Sequence, residues 1–248
     1  MIFTLVKNEF LKEKRNLLLL MMMLLPIGIA FLLVFDLSVR YESWLLPNAA
    51  GKELTSWNIL IKEQRILYFN DFMPLFAAII LGQLFETEYK NNGWTLTLTK
   101  PIKMWQILFS KYITALIILI MMLVINIIAL IMVGKVFNFP EAIPWDYFLN
   151  MMAIQLVASS AVMIIQLFFS IKNKNVLISF GIAALLSILS SNIYYNENPI
   201  RYFNPYNYAM FSITQERQEI IYVSGGSAIV IVIGAFIICK YFKFKKIY

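Results

Sequence analysis

The chain has 248 residues, of which 60% are hydrophobic and 14% are charged, with a formal net charge of +7. A water-soluble domain is usually about 45–50% apolar and about 25% charged, so this chain has too few polar residues to cover a soluble globule. It contains no histidine and one cysteine. That composition excludes His/Cys metal sites, histidine-dependent nucleophilic catalysis and an intrachain disulfide. Its basic residues lie in short runs between apolar stretches, which favours a role in membrane topology over nucleic acid binding.

Residues 1–15 predict a short amphipathic helix on the inner leaflet. Phe3, Val6 and Phe10 recur at helical spacing, and four basic residues occupy other faces. The alternative is an ordinary basic flank before a first span. The next run, Leu17 to Phe35, has nineteen uncharged residues, longer than the about 7–15 apolar residues of a signal peptide. We interpret it as a retained membrane anchor.

Five charge-free runs are long enough to cross the hydrocarbon core, which takes about 20 mostly apolar residues. A sixth run, between Asp71 and Glu86, reaches that length only when it is extended back to Ile66. The runs are continuous rather than alternating and therefore predict helices. The expected fold is all-α integral membrane, a single domain over 1–248 with six transmembrane helices. The spans are expected at about 16–35, 66–85, 112–134, 147–171, 175–196 and 220–239.

The distribution of charge predicts that both ends of the chain lie in the cytoplasm. With the N-terminus inside, the cytoplasmic segments hold fourteen of the 21 Lys and Arg residues, and ten of the 14 acidic residues fall elsewhere. An excess of Lys and Arg marks the cytoplasmic side. The cytoplasmic segments are then 1–15, 86–111, 172–174 and 240–248, and the main outer loops are 36–65 and 197–219. The first outer loop has apolar residues at partly helical spacing and is expected to hold a helix resting on the outer surface.

The cytoplasmic segment 86–111 carries the strongest functional signal. Acidic residues come directly after the second predicted span, and a glycine follows them. A Leu-containing run comes next, and a Lys-Pro pair then begins a second amphipathic stretch. The marked positions are Glu86, Glu88, Gly93, Trp94, Leu96, Leu98, Lys100, Pro101, Ile102 and Lys111. One interpretation is a connecting loop with an interfacial helix. The other is a docking element for a cytoplasmic partner, because a chain without a soluble domain offers little else to bind.

At these positions the segment resembles the coupling loop of type-2 ABC exporter permeases. The chain length, the six-span plan and residues 1–15 match that family over essentially the whole chain. The resemblance implies that residues 86–103 form a coupling helix in a cleft of a separate cytoplasmic ATPase subunit, and that residues 1–15 form an elbow helix. Trp94 stands where relatives commonly have threonine. The resemblance therefore still implies the docking role, but it does not specify the individual contacts with the ATPase.

The resemblance also implies partners, substrate and location. The chain looks like small permeases of Gram-positive bacteria that expel lantibiotics or export cytolytic amphipathic peptides. Two ATPase copies would bind ATP and Mg, and a second permease copy or a relative would complete the path in the plasma membrane. The sequence has no G-x-x-x-x-G-K-[ST] motif, so ATP hydrolysis is expected on the partner and no cofactor on this chain. The resemblance does not decide whether the transporter provides immunity or exports a toxin. It also does not decide whether the permease forms a homodimer or a heterodimer.

Polar residues inside the predicted spans are candidates for lining a translocation path. They are Asn126, Gln155, Ser159 and Gln166. The last three share one helical face, because offsets of 4 and 11 residues return to a similar angle. The alternative role is hydrogen bonding between helices, worth about 0.6–2 kcal/mol each.

Two other functional classes compete with an ATP-driven exporter. An ATP-independent secondary transporter or channel normally needs buried carboxylates or broken helices, and here only Asp71 and Glu86 lie near the spans, at their ends. A membrane enzyme would need a catalytic group. The sequence offers no histidine and no carboxylate pair deep in a span, so no catalytic residue is expected.

Overall fold

A computed structural model describes residues 2–14, 16–50, 54–90, 93–94, 99, 101–173, 175–214 and 216–244. These residues form a helical bundle without strands. The helices are α1 Ile2–Glu13, α2 Leu17–Arg40, α3 Ser56–Ile66, α4 Met73–Lys90, α5 Met104–Val136, α6 Trp145–Lys172, α7 Val176–Tyr195 and α8 Arg217–Phe244. Helix α2 continues through a π-helical turn, Tyr41–Leu45, into Leu46–Ala50, and two 3₁₀ segments, Pro199–Tyr202 and Pro205–Ile213, precede α8.

Five helices of the described residues are long and apolar enough to cross a membrane: α2 with its continuation, α5, α6, α7 and α8. Large apolar side chains such as Phe31, Leu185 and Val232 are exposed on α2, α7 and α8. A surface of this kind is stable against lipid and not against water. The all-helical membrane fold predicted from the sequence is therefore confirmed.

Helix α4 is the weakest of the predicted spans. Only residues 73–85 of it are uncharged, a rise of about 20 Å at 1.5 Å per residue, which is short of the about 30 Å hydrocarbon core. It is buried on nearly every side and packs chiefly against α6 and α7. Because other helices surround α4, its short apolar stretch does not have to match the thickness of the lipid by itself. The sixth span stays a prediction.

The start of α4 differs from the predicted position. The helix was expected to extend back to Ile66, but it begins at Met73, and residues 67–72 form a turn that contains Asp71. Tyr68 follows the end of α3 with φ at 58°, in the left-handed region that commonly stops a helix. Pro74 lies in the first turn of α4, where its missing N–H costs nothing.

Several helices run past the spans predicted for them, two of them by eight residues or more at one end. Helix α2 and its continuation reach residue 50 instead of 35, and α5 begins at Met104 instead of residue 112. The loops predicted at 36–65 and 86–111 are correspondingly shorter. The reason is that hydropathy marks membrane depth and not the ends of helices, since charged residues at the water boundary continue a helix without penalty.

Both predicted outer loops enter the bundle. Trp57 and Leu60 of α3 are buried in one apolar cluster with side chains of α2, α5 and α6, so α3 does not simply rest on the outer surface. Residues 205–213 are mostly buried against α6, α7 and α8. There the Nε2 atom of Gln166 donates to the hydroxyl of Tyr206 at 2.8 Å. The loops therefore supply part of the core.

Candidate coupling site

A buried lysine joins three helices at the end of the bundle predicted to face the cytoplasm. Lys111 of α5 is 0% exposed. Its Nζ lies 2.5 Å from Oε2 of Glu9 on α1 and 3.1 Å from Oε1 of Glu88 on α4, and it donates to the carbonyl oxygen of Leu84 at 2.8 Å. An ammonium group has three donors, and here three acceptors surround it. The lysine thereby fastens α1, α4 and α5 together.

Lys12 completes this charge cluster. Its Nζ lies 2.9 Å from Oε1 of Glu9 and 2.5 Å from Oε1 of Glu88. Burial alone would raise the pKa of Glu88, but the charges of Lys111 and Lys12 and the hydrogen bond from Lys12 outweigh it and lower that pKa. The carboxylate is therefore ionised. We call Glu9, Lys12, Glu88 and Lys111 the charge cluster; two positive and two negative groups make it neutral.

A second polar link joins α1 to α4. Thr87 donates from its hydroxyl to Oε1 of Glu13 at 2.6 Å, and Asn16 donates from Nδ2 to the other carboxylate oxygen at 2.5 Å. Within the segment predicted as an interfacial helix, the structure has helix α1 at Ile2–Glu13, and its buried face carries Glu9 and Glu13 as well as Val6. Phe3, expected on the apolar face, is 82% exposed.

Gly93 and Trp94 fold back onto the end of α4. An ideal Cβ on Gly93 would overlap Oε2 of Glu88 and lie 3.1 Å from the Glu88 Cα, so the backbone there approaches α4 closely. The ring of Trp94 lies 6.1 Å from that of Phe85 and 5.9 Å from that of Tyr89. Tyr89 in turn donates its hydroxyl to the carbonyl oxygen of Ile171 at 2.8 Å. The start of the coupling segment is therefore packed against α4, and α4 against the end of α6.

The structure brings together only some of the predicted coupling residues. Glu88, Gly93 and Trp94 meet, whereas Glu86 pairs with Lys90 at 2.7 Å on the surface. Pro101 is exposed. Leu96, Leu98 and Lys100 lie outside the described residues, as do the other masked positions of the predicted coupling helix over 86–103, which are 91, 92, 95 and 97.

Sequence reasoning missed the part played by α1. Glu9 and Glu13 are acidic residues four positions apart within an otherwise basic helix. That spacing puts both carboxylates on one face. The pattern could have indicated that this face meets a buried cation.

A family model described as an ABC-2 family transporter protein matches residues 5–190, most of the chain. The chain belongs to the ABC-2 transporter family. No curated protein matches the sequence. As an ABC-2 permease, the protein is the membrane transport subunit of an ABC transporter and not its ATPase, and it works with an ATPase subunit.

The four candidates for lining the translocation path of this ABC-2 permease are buried within the chain. The Nε2 of Gln64 donates to Oδ1 of Asn126 at 2.7 Å, and Nε2 of Gln155 donates to Oδ1 of Asn70 at 2.6 Å. Gln166 bonds to Tyr206 as described above, and the hydroxyl of Ser159 has no partner among the described residues. In this conformation three of the four bond between elements, so lining a path stays a prediction for them.

Replacing Gln155 with leucine is expected to destabilise the permease by about 1–3 kcal/mol, because the side chain of the buried Asn70 loses its partner. Transport per folded molecule is expected to stay unchanged if the role is structural. The measurements are the thermal unfolding temperature in detergent and transport in vesicles at matched protein amount. Asn150→Leu, at an exposed position of the same helix, is the control. A selective loss of transport at unchanged stability would instead favour the path-lining role.

Proposed function

We propose that this permease is part of an ATP-driven exporter of amphipathic or hydrophobic peptides, and that residues 86–103 dock on the ATPase subunit. It has six spans with both ends in the cytoplasm, as the distribution of Lys and Arg indicates. The charge cluster is the observation that supports the coupling role most directly. It ties the start of the proposed docking segment to three helices at the end of the bundle that would face the ATPase.

The charge cluster suggests how movement would pass into the membrane. ATP and Mg bound by two partner subunits would draw those subunits together and displace the docking segment. Glu88 lies at the end of α4 and contacts both Lys12 of α1 and Lys111 of α5. Separating these groups would leave buried charges unpaired, at a cost of about 3–5 kcal/mol. The ends of α1, α4 and α5 therefore move together as one unit.

A second permease, identical or related, would enclose the translocation path. The exposed apolar faces of α2, α7 and α8 are available for lipid and for this second copy. The proposed substrate class rests on the resemblance to Gram-positive permeases that expel lantibiotics or export cytolytic peptides. Antimicrobial peptide resistance and toxin export are both consistent with it, in the plasma membrane of a Gram-positive bacterium.

Association with an ATPase is tested on an exposed position, so that the bundle stays folded. Pro101→Asp places a charge in the proposed docking segment at an exposed residue. We expect the tagged wild-type permease to co-purify with an ATPase in mild detergent and the variant to lose it, with ATPase activity falling about ten-fold or more, the equivalent of about 1.4 kcal/mol. Pro140→Asp, at an exposed proline near the opposite end, is the matched control.

Peptide export is tested in inside-out membrane vesicles that hold the permease and its ATPase. We expect ATP-dependent uptake of a cationic amphipathic peptide that orthovanadate stops. If neither proline variant changes the associated ATPase, the docking assignment fails. If the ATPase is coupled but no amphipathic or hydrophobic peptide is taken up, the substrate assignment fails by itself.

A further inference from the structure

An apolar groove opens to the side of the bundle between α5 and α8, near the predicted cytoplasmic end. Its volume is about 520 Å³, within the about 300–1,000 Å³ of ligand pockets. The residues lining this α5–α8 groove include Trp105, Leu108, Leu167, Ile231, Ile238 and Cys239. The hydroxyl of Tyr112, also in its wall, donates to the carbonyl oxygen of Ser160 at 3.1 Å, which leaves the wall almost entirely apolar.

The groove exists because α8 packs against α6 and not against α5. At Gly234 a Cβ would overlap the side chain of Ile164, so α8 approaches α6 closely there. By contrast, α8 and α5 scarcely touch. The space between α5 and α8, with α6 as its floor, is left for an apolar group.

Each of the three helices that line the groove has a lysine in it or next to it at the same end of the bundle. Lys103 precedes α5, Lys172 ends α6, and Lys240 follows Cys239 on α8. All three are exposed, and none has an ion pair within the described part of the chain. A narrow apolar groove below a set of unpaired cations matches an acyl chain below an anionic headgroup, and basic pockets on the cytoplasmic side of membrane proteins bind such lipids.

We propose that the α5–α8 groove holds an acyl chain of an anionic phospholipid from the inner leaflet, with its phosphate beside Lys103, Lys172 and Lys240. The choice of leaflet rests on the orientation given under Proposed function. The binding itself does not depend on the ATPase or on the exported substrate.

The only cysteine of the chain provides the reporter. Cys239 lines the groove and is exposed, so it can carry a fluorophore in purified permease reconstituted into phosphatidylcholine vesicles. A small fraction of the lipid is replaced by phosphatidylglycerol or phosphatidylcholine with brominated acyl chains, which quench on contact. We expect brominated phosphatidylglycerol to quench more strongly than brominated phosphatidylcholine at the same mole fraction.

Two variants test the two parts of the lipid. Lys103→Gln with Lys240→Gln is expected to lower the preference for phosphatidylglycerol by about five-fold per lysine removed, without changing quenching by phosphatidylcholine. Ala235→Trp, which fills the groove from an exposed position of its wall, is expected to abolish the preference. Lys135→Gln, at the opposite end of α5, is the matched control for loss of charge.

The position of the reporter is controlled by moving it. In a Cys239→Ser background, Leu185→Cys places the fluorophore on an exposed face of α7, where both lipids are expected to quench equally. Equal quenching at Cys239 overturns the proposal, as does a preference that survives the lysine substitutions. Absence of quenching by either lipid also overturns it, because the groove then holds no acyl chain. ATPase coupling plays no part in this assay. A failure of the lipid proposal can therefore be distinguished from a failure of the proposed function.

Discussion

Replacing Lys111 with methionine is expected to destabilise the permease by about 3–5 kcal/mol. The side chain is fully buried, and its removal leaves Glu9 and Glu88 near each other with only Lys12 to balance them. Methionine keeps an unbranched apolar side chain of similar shape, so the loss reports on the missing charge more than on a cavity. The measurement is the free energy of unfolding from an SDS titration in mixed micelles, with near-wild-type helix content required at the starting point.

A second substitution separates charge balance from packing in this experiment. Glu9→Gln added to Lys111→Met leaves Lys12 and Glu88 as one neutral pair, and it is expected to recover about half or more of the lost stability. Lys62→Met, at an exposed lysine of α3, is expected to stay within about 0.5 kcal/mol of wild type, as surface substitutions do. If Lys111→Met behaved like Lys62→Met, the charge cluster would not hold these helices together.

Replacing Gly93 with alanine is expected to loosen the start of the docking segment and to lower ATPase association. The added Cβ would overlap the carboxylate of Glu88. That carboxylate cannot turn aside freely, because Lys12 and Lys111 hold it from the other side. Forcing an extra carbon into such a contact costs about 1–3 kcal/mol. The measurements are hydrogen exchange of residues 86–94 and the ATPase activity that co-purifies with the permease.

The matched control for Gly93→Ala is Gly181→Ala in the middle of α7. No atom lies within 4 Å of a Cβ built there, so alanine is expected to be neutral or to stabilise the helix by up to about 1 kcal/mol. Unchanged exchange in residues 86–94 of Gly93→Ala would contradict the packing described for the segment. Faster exchange with unchanged ATPase association would contradict its part in docking.

Part of the candidate site was predictable from local sequence. Glu88, Gly93 and Trp94 lie within seven positions of one another, and a glycine that interrupts a run after an acidic helix end indicates a close return of the backbone. The family resemblance based on this segment is confirmed at the level of the ABC-2 permease. By contrast, the hydrogen bond between Lys111 and Glu9 joins residues 102 positions apart. No local pattern could pair them.

The sequence by itself determined the membrane class, five of the spans, the helix at residues 2–13 and the predicted orientation. These features depend on hydropathy, helical periodicity and the distribution of lysine and arginine, all of which are local or additive properties of the chain. The peptide substrate rests on resemblance alone, since nothing in the spans specifies it.

Only the tertiary structure decided which polar residues meet. It turned α3 and residues 205–213 into the bundle and buried the short helix α4 between longer ones. It also directed Glu9 and Glu13 of α1 toward α4 and α5, beside Val6 on the buried face of that helix. The physical reason is that a buried charge is stable only beside its partner, and the partner here lies on another helix. Hydropathy places the long apolar helices in the membrane, and the pairing of charges decides how α1, α4 and α5 face one another.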